Sequence, residues 1–285
     1  MISKIKILIQ KIIKKSGYKI RGVKKIVKHN DFDAIIKFLW KQSINEKKII
    51  FDVGANLGQS IERFKKISNY SEVHSFEPTP DLFNKLSKNY SKTSGVKLNK
   101  LALGDKVGES SFNSYKYHKI NSIIDIDDKS KFAKSRKIVS ESNDQNFTEI
   151  INVKVGTVDD YCKRNNVNEI NLLKIDTQGF EDKVLLGSIE SLKNNKIDII
   201  ELELVIGFAY KKNLTFYDIE KILSGNGYKL IAIEDSGNLI SFSNLQTNLI
   251  YVKNQIYEEI RELHYKNVDI SDVTKSVSKN HPFSY

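Results

Sequence analysis

The chain has 285 residues, 40% of them hydrophobic, enough to bury a substantial core as one large domain with appendages. Its single cysteine, Cys162, excludes an intramolecular disulfide and a cysteine-rich metal site. Most of the net charge of +11 is local, since ten Lys and Arg lie between Lys4 and Lys28 and no acid precedes Asp31. No run reaches the roughly 20 apolar residues that span a bilayer, and lysines interrupt the N-terminus where a secretion signal would be apolar. A cytoplasmic protein is the expectation.

In chain order, residues 1–28 place Ile2, Ile5, Leu8 or Ile9, Ile12 and Ile13 at helical steps with lysines between them. This predicts a basic amphipathic helix within an N-terminal extension, 1–46. Peripheral contact with an anionic membrane and packing on the protein body both remain open for it. Phe32, Ile35, Ile36, Leu39 and Trp40 form a second helical pattern that leads into the core.

From 47 to 253, strand-like runs at 48–53, 72–76, 96–102, 170–175, 197–204, 228–234 and 248–253 alternate with helical patterns. The helices fall at about 57–67, 80–90, 157–166, 179–194 and 215–225. Such alternation predicts an α/β fold, a mostly parallel sheet with crossover helices. The Ser-, Asn-, Asp- and Lys-rich stretch 109–155, with short strand-like ends, breaks the rhythm and reads as an irregular insertion after the third strand, a candidate lid or acceptor-binding region. Residues 254–285 read as a C-terminal helix and polar tail.

The run Ile49-Ile50-Phe51-Asp52-Val53 ends in Gly54-Ala55-Asn56-Leu57-Gly58, and a helical pattern follows. A strand, glycine turn and helix bring a nucleotide-like ligand against backbone amides at the carboxyl end of a sheet. Dinucleotide binders show G-x-G-x-x-G, whereas here the spacing is Gly54-x-x-x-Gly58 with Asp52 ahead of it. An acid there suits an ammonium group better than a phosphate, which favours S-adenosylmethionine on charge grounds. The next strand ends in Glu77, about 20 residues on, where a carboxylate can accept from both ribose hydroxyls. Pro78 and Pro80 stop that strand sharply. Leu103 is placed to wall an adenine, and Asp105 to accept from its amino group.

Together, Asp52 to Gly58, Phe76-Glu77-Pro78, Ala102-Leu103-Gly104-Asp105, Thr157 to Cys162 and Leu172 to Glu181 resemble FkbM-family methyltransferases in order and spacing. Ile200-Glu201-Leu202-Glu203 with Tyr210 resembles that family's fifth-strand signature. The resemblance covers about 48–253. It implies the class I methyltransferase (Rossmann-like) fold, a seven-stranded, mostly parallel sheet with helices on both faces and an antiparallel last strand. It implies S-adenosyl-L-methionine as cofactor, bound at Asp52, Gly54, Asn56, Gly58, Glu77, Leu103, Asp105 and Asp176. It also implies O-methylation of a hydroxyl on a sugar or polyketide-type acceptor, and a carbohydrate or glycolipid of a cell-surface glycan is the expected substrate.

Methyl transfer to a hydroxyl needs in-line approach and removal of the proton. Asp176, at the end of the fourth parallel strand, is the first candidate for the base. Glu203 and Glu181 fall where three acids can converge on one mouth of the sheet. Such a cluster can bind hydroxyls, hold a divalent metal or shift one member's pKa, and the metal question stays open. Of the histidines, His29, His74, His264 and His281 have no metal-ligand spacing, and His118, in the insertion, is the one candidate base. A nucleic-acid methyltransferase, suggested by the basic charge, is the rival within the same chemistry, but nucleic acid is not the expected partner: the Asn/Asp-Pro-Pro-aromatic motif of base-amine methylation needs paired prolines, and only Pro78, Pro80 and Pro282 exist. A non-catalytic cofactor-binding module and an NAD-dependent oxidoreductase remain the rivals from other classes.

Overall fold

The computed structural model describes residues 32–267 apart from 42, 44–45, 141–147, 207–208, 213 and 235–244. The basic segment 1–28, His29, His281 and the end of the polar tail lie outside the described residues.

After helix α1 (Phe32–Leu39) the chain runs β1 (Lys48–Val53), α2 (Gln59–Ile67), β2 (Ser71–Phe76), α3 (Pro80–Tyr90) and β3 (Val96–Asn99). A second segment follows: β4 (Ala102–Leu103), β5 (Gly108–Tyr115), α4 (Lys131–Val139) and β6 (Thr148–Gly156). The chain then forms α5 (Val158–Asn165), β7 (Ile170–Ile175), α6 (Glu181–Leu186), α7 (Ile189–Lys193) and β8 (Ile197–Ile206). It closes with α8 (Phe216–Ser224), β9 (Tyr228–Ile233), β10 (Leu245–Lys253) and α9 (Asn254–Asn267).

Seven strands form one sheet in the order β3-β2-β1-β7-β8-β10-β9, in which only β10 runs antiparallel to its neighbours. Its central strands are largely apolar because both faces are covered, apart from one polar row described below. Phe51, Leu173 and Ile200 face helices α5 to α8, while Ile50, Leu172 and Ile199, one residue earlier, face α1, α2, α3 and α9. The expected fold class is therefore the observed one. Strand order reverses between β1 and β7, the position at whose carboxyl edge open α/β sheets bind ligands.

Three expectations are corrected. The third strand, predicted to run to 102, stops at Asn99; β4 instead pairs with β6 in a separate three-stranded sheet. The insertion is not irregular, since β5 and β6 pair antiparallel from Gly108↔Val155 to Tyr115↔Thr148. The polar β5 hid their extent and pairing, since much of the ribbon faces solvent; Phe112, Val153 and Val155 join Ala102 in a small core, with Ile123 and Ile151 packed against it. The helix predicted over 179–194 is two helices broken at Gly187. A Cβ there would stand 1.9 Å from the Gly104 carbonyl oxygen, so α6 abuts that loop and must end.

On the α1/α2 face a polar row crosses the sheet in register: Ser75, Asp52, Lys174 and Glu201 on β2, β1, β7 and β8. Lys174 Nζ lies 3.1 Å from Asp52 Oδ1. Arg63 of α2 closes the row with two bonds to Glu201, at 2.6 and 2.9 Å, and a third to Asp33 of α1 at 2.5 Å. Two negative and two positive charges thus alternate across Asp52, Lys174, Glu201 and Arg63. Removing one member of a buried pair strands the other. Arg63→Met is expected to lower the free energy of unfolding by about 3 kcal/mol, measured by urea denaturation; an unchanged midpoint would show that the row does not hold α2 to the sheet.

Candidate active site

Period-two geometry fixes what lies above the polar row. Two residues beyond Ser75, Asp52, Lys174 and Glu201 stand Glu77, Gly54, Asp176 and Glu203, and all four line one cavity of about 500 Å³. Gly54 has φ +83°, and a Cβ on it would lie 1.9 Å from the Asp176 carbonyl oxygen. Only glycine lets the loop after β1 lie flat on the end of β7, where Asp176 N donates to Val53 O at 3.0 Å.

At one end of the cavity, Glu77 is buried with both oxygens positioned by backbone amides. Thr79 N donates to Oε1 and Asn56 N to Oε2, each at 2.9 Å. Burial pushes the Glu77 carboxyl upward, and these two donors oppose the shift. Each oxygen keeps a lone pair for an outside donor, which fits a ribose diol. Phe76, Leu101 and Leu103 supply apolar walls. Asn56, at φ 51°, donates Nδ2 to the His118 carbonyl at 3.5 Å and leaves its Oδ1 buried without a hydrogen-bond partner. An orphaned acceptor in a cavity wall is the mark of a ligand donor.

At the other end, Gln178 joins the acids. Its Nε2 donates to Asp176 Oδ1 at 2.9 Å and to Glu203 Oε2 at 2.5 Å, and its Oε1 accepts from the Tyr210 hydroxyl at 2.9 Å. Burial, then the nearby carboxylates of Asp176 and Glu181, push Glu203 well above the usual carboxylate range. Lys174 Nζ, 3.6 Å from Asp176 Oδ2, ties this end to the row below. Burial pulls Lys174 down, but Asp52 and Asp176 outweigh it and its net shift is upward. The ammonium stays charged. The insertion lines the cavity with Tyr117, His118 and Lys119 around a 3₁₀ turn and Arg136 from α4: the His118 carbonyl meets Asn56 at the Glu77 end, and Phe132 of α4 packs on Tyr210 at the Gln178 end.

Several expected site residues are elsewhere. Asp52 is fully buried beneath the floor, and the ammonium it meets is that of Lys174, not a ligand's. Gly58 caps α2 behind the loop, against Tyr90. Asp105 is not brought to the cavity; Lys183 holds it at 3.0 Å and draws its carboxyl below the usual range. Glu181 does not join the mouth either. Thr177 N, Thr177 Oγ1 and Gly179 N donate to it at 2.9, 3.0 and 3.0 Å, and burial pushes it to about 7 against those donors. The turn after β7 uses it as a structural clamp. His118 does line the cavity, with Nδ1 buried and unpartnered and the ring's pKa lowered by burial. His74 is buried between Tyr161 and Glu72, and Cys162 is buried with its thiol pushed to about 12. Among the described residues, no group of three or more His, Cys, Asp or Glu is placed to hold a metal ion, and no helix is long and apolar enough to cross a membrane.

Sequence reasoning gave no role to Lys174, Gln178, Tyr117 or Arg136. A lysine inside an otherwise apolar strand run was a signal for the first. Gln178 lies within the Leu172 to Glu181 run, two residues from Asp176, and that was its signal; Tyr117 and Arg136 depend on long-range placement and left none.

Residues 52–230 match the Methyltransferase FkbM domain, well over half of the chain. The chain belongs to the FkbM methyltransferase family. S-adenosylmethionine is its cofactor, and Glu77, Asn56 and the walls at Phe76 and Leu103 fit the nucleoside. The chain is similar to 2-O-methyltransferase NoeI of Sinorhizobium fredii (strain NBRC 101917 / NGR234), 26% identical over 151 residues, 52% of this chain and 60% of that protein. The match thus spans less than two thirds of that relative's length. It is also similar to Methyltransferase 1 of Beauveria bassiana (strain ARSEF 2860), 27% identical over 199 residues, 66% of this chain and 75% of that one. Among solved structures it resembles the magnesium protoporphyrin IX methyltransferase (ChlM) of Synechocystis PCC 6803 with bound SAM, TM-score 0.42 at 10% identity over 78% of this chain and 77% of that one. The METTL16 MTase domain gives 0.45 at 11% identity over 78% and 66%.

Glu77→Gln is expected to weaken S-adenosylhomocysteine binding at least about tenfold by calorimetry, since a hydrogen bond to an ionised group is worth roughly 1.5–3 kcal/mol. An unchanged affinity would remove Glu77 from the cofactor site.

Proposed function

We propose that this FkbM-family protein methylates a hydroxyl of a carbohydrate, with Asp176 as the general base. The observation that carries the reading is the state of the Asp176 carboxylate. It is one-third exposed in the cavity, while Gln178 Nε2 and Lys174 Nζ hold it in place from behind. A base positioned in this way, open on the side of the substrate, is what abstraction of a hydroxyl proton requires. Burial and the neighbouring Asp176 carboxylate push Glu203 upward, which disfavours a second negative charge beside Asp176.

In the reaction a bond forms between the acceptor oxygen and the methyl carbon as the sulfur–methyl bond breaks. The hydroxyl proton passes to Asp176, and S-adenosylhomocysteine leaves. The protein's own part is alignment and proton acceptance. Polar side chains in the cavity lining, among them Gln246, Lys119 and His118, give it the donors and acceptors that sugar hydroxyls need. Similarity to a 2-O-methyltransferase supports an oxygen acceptor.

The test uses cells that lack the gene and carry variants in its place, with mass spectrometry of the surface glycans for the added methylene. Asp176→Asn is expected to lower methylation by about 100-fold or more while calorimetry shows S-adenosylhomocysteine still binding. Glu203→Gln, which keeps a neutral donor, is expected to stay within about tenfold of the wild type. Full methylation by Asp176→Asn would sink the assignment of the base, and glycans unchanged by loss of the gene would sink the acceptor class.

A further inference from the structure

Arg136 is a cation with no carboxylate partner among the described residues. Arg63, Arg164 and Arg261 each meet a carboxylate, whereas Arg136 meets none among the described residues. Its guanidinium is held by two rings instead, Tyr117 from the 3₁₀ turn and Phe132 one helical turn back on α4, each with its centroid 5.0 Å away. Its Nε is buried and has no hydrogen-bond partner. The side chain nonetheless lines the same cavity as Asp176 and Glu203. Aromatic contacts orient a guanidinium without satisfying its edge, where the planar donors lie. A buried donor without a partner costs free energy that a ligand acceptor restores.

We propose that Arg136 is an oxyanion site for the acceptor: it binds a carboxylate or phosphate group of the carbohydrate while the hydroxyl to be methylated lies at Asp176. The inference rests on the acceptor reading of this cavity and narrows it to acidic carbohydrates, either sugar acids or phosphate-bearing sugars. Arginine recognises both groups through paired, parallel hydrogen bonds. Lys119, exposed on the same rim, adds positive charge. The other oxyanion that enters this cavity is the cofactor's own carboxylate. It has a different candidate at the first turn of α2, a nine-residue helix, where Gln59 and Ser60 border the cavity.

The experiment titrates the full chain, loaded with S-adenosylhomocysteine, with sodium glucuronate, inorganic pyrophosphate and glucose, following chemical shifts. It compares wild type with Arg136→Met and Arg136→Lys, and measures S-adenosylhomocysteine affinity of each by calorimetry. The expected result is binding of at least one oxyanion in preference to glucose. Arg136→Met should weaken it about tenfold or more and Arg136→Lys less, because lysine keeps the charge and loses the planar fork. Cofactor-product affinity should stay within about twofold, which also reports that each variant is folded. Preference for glucuronate identifies a sugar carboxylate, and preference for pyrophosphate a phosphate-bearing acceptor. Three results would overturn the proposal: no oxyanion binding by the wild type, oxyanion binding that survives Arg136→Met, or an equal loss of S-adenosylhomocysteine affinity, which would give Arg136 to the cofactor. None of these readouts requires turnover, so a failure here is distinct from a failure of Asp176 as base.

Discussion

A lysine ammonium buried between two carboxylates is the contact on which the rest of this structure depends. Lys174 sits in the middle of the sheet, 3.1 Å from Asp52 and 3.6 Å from Asp176. Burying a charge is costly unless it is paired, and here the pairing is mutual: Asp52 is sealed from solvent and has no other charged partner among the described residues. Glu201 and Arg63 extend the alternation to helix α2. The row sits where β1 and β7 part company in strand order, so one set of charges ties together the two halves of the sheet that must meet to form a cavity.

The site is the next layer of the same construction. Because side chains on a strand alternate faces, whatever the row anchors is repeated two residues later, at the sheet's carboxyl edge. Gly54, Glu77, Asp176 and Glu203 are that repeat, and they inherit their positions from it. Asp176 belongs to both layers, since Lys174 holds it from below and Gln178 from the side. The cofactor end relies on backbone donors and apolar walls. The Asp176 end is lined by charged and amide side chains.

Much of this was legible in the sequence, for physical reasons that can be named. Continuous apolar runs announce strands buried on both faces, and Gly54 and Glu77 follow from what a strand–turn–helix junction needs. Asp52 was legible as important and misread in role. An acid beside a glycine turn looks like a ligand group until Lys174, 122 positions later in the chain, is seen in register with it. Asp105 failed similarly, since its partner Lys183 is 78 residues away. The β5–β6 ribbon was legible only as strand-like ends: β6 alternates from Ile151 to Val155, but β5 is mostly small and polar, and the pairing of the two is a long-range contact. Glu181 was placed with the right turn but on the wrong side of it. In each case local pattern located the residue and a distant contact decided its function.

The central claim is that Asp52 and Lys174 act as one unit, and a double-mutant cycle on folding stability tests it most directly. Asp52→Asn, Lys174→Met and the double variant would be compared with wild type by urea denaturation. The account predicts that each single change costs about 3 kcal/mol and that the double change costs less than their sum by at least about 1 kcal/mol, because it removes both charges together. Costs that add to within about 0.5 kcal/mol would mean that the two side chains are independent, and would contradict the account.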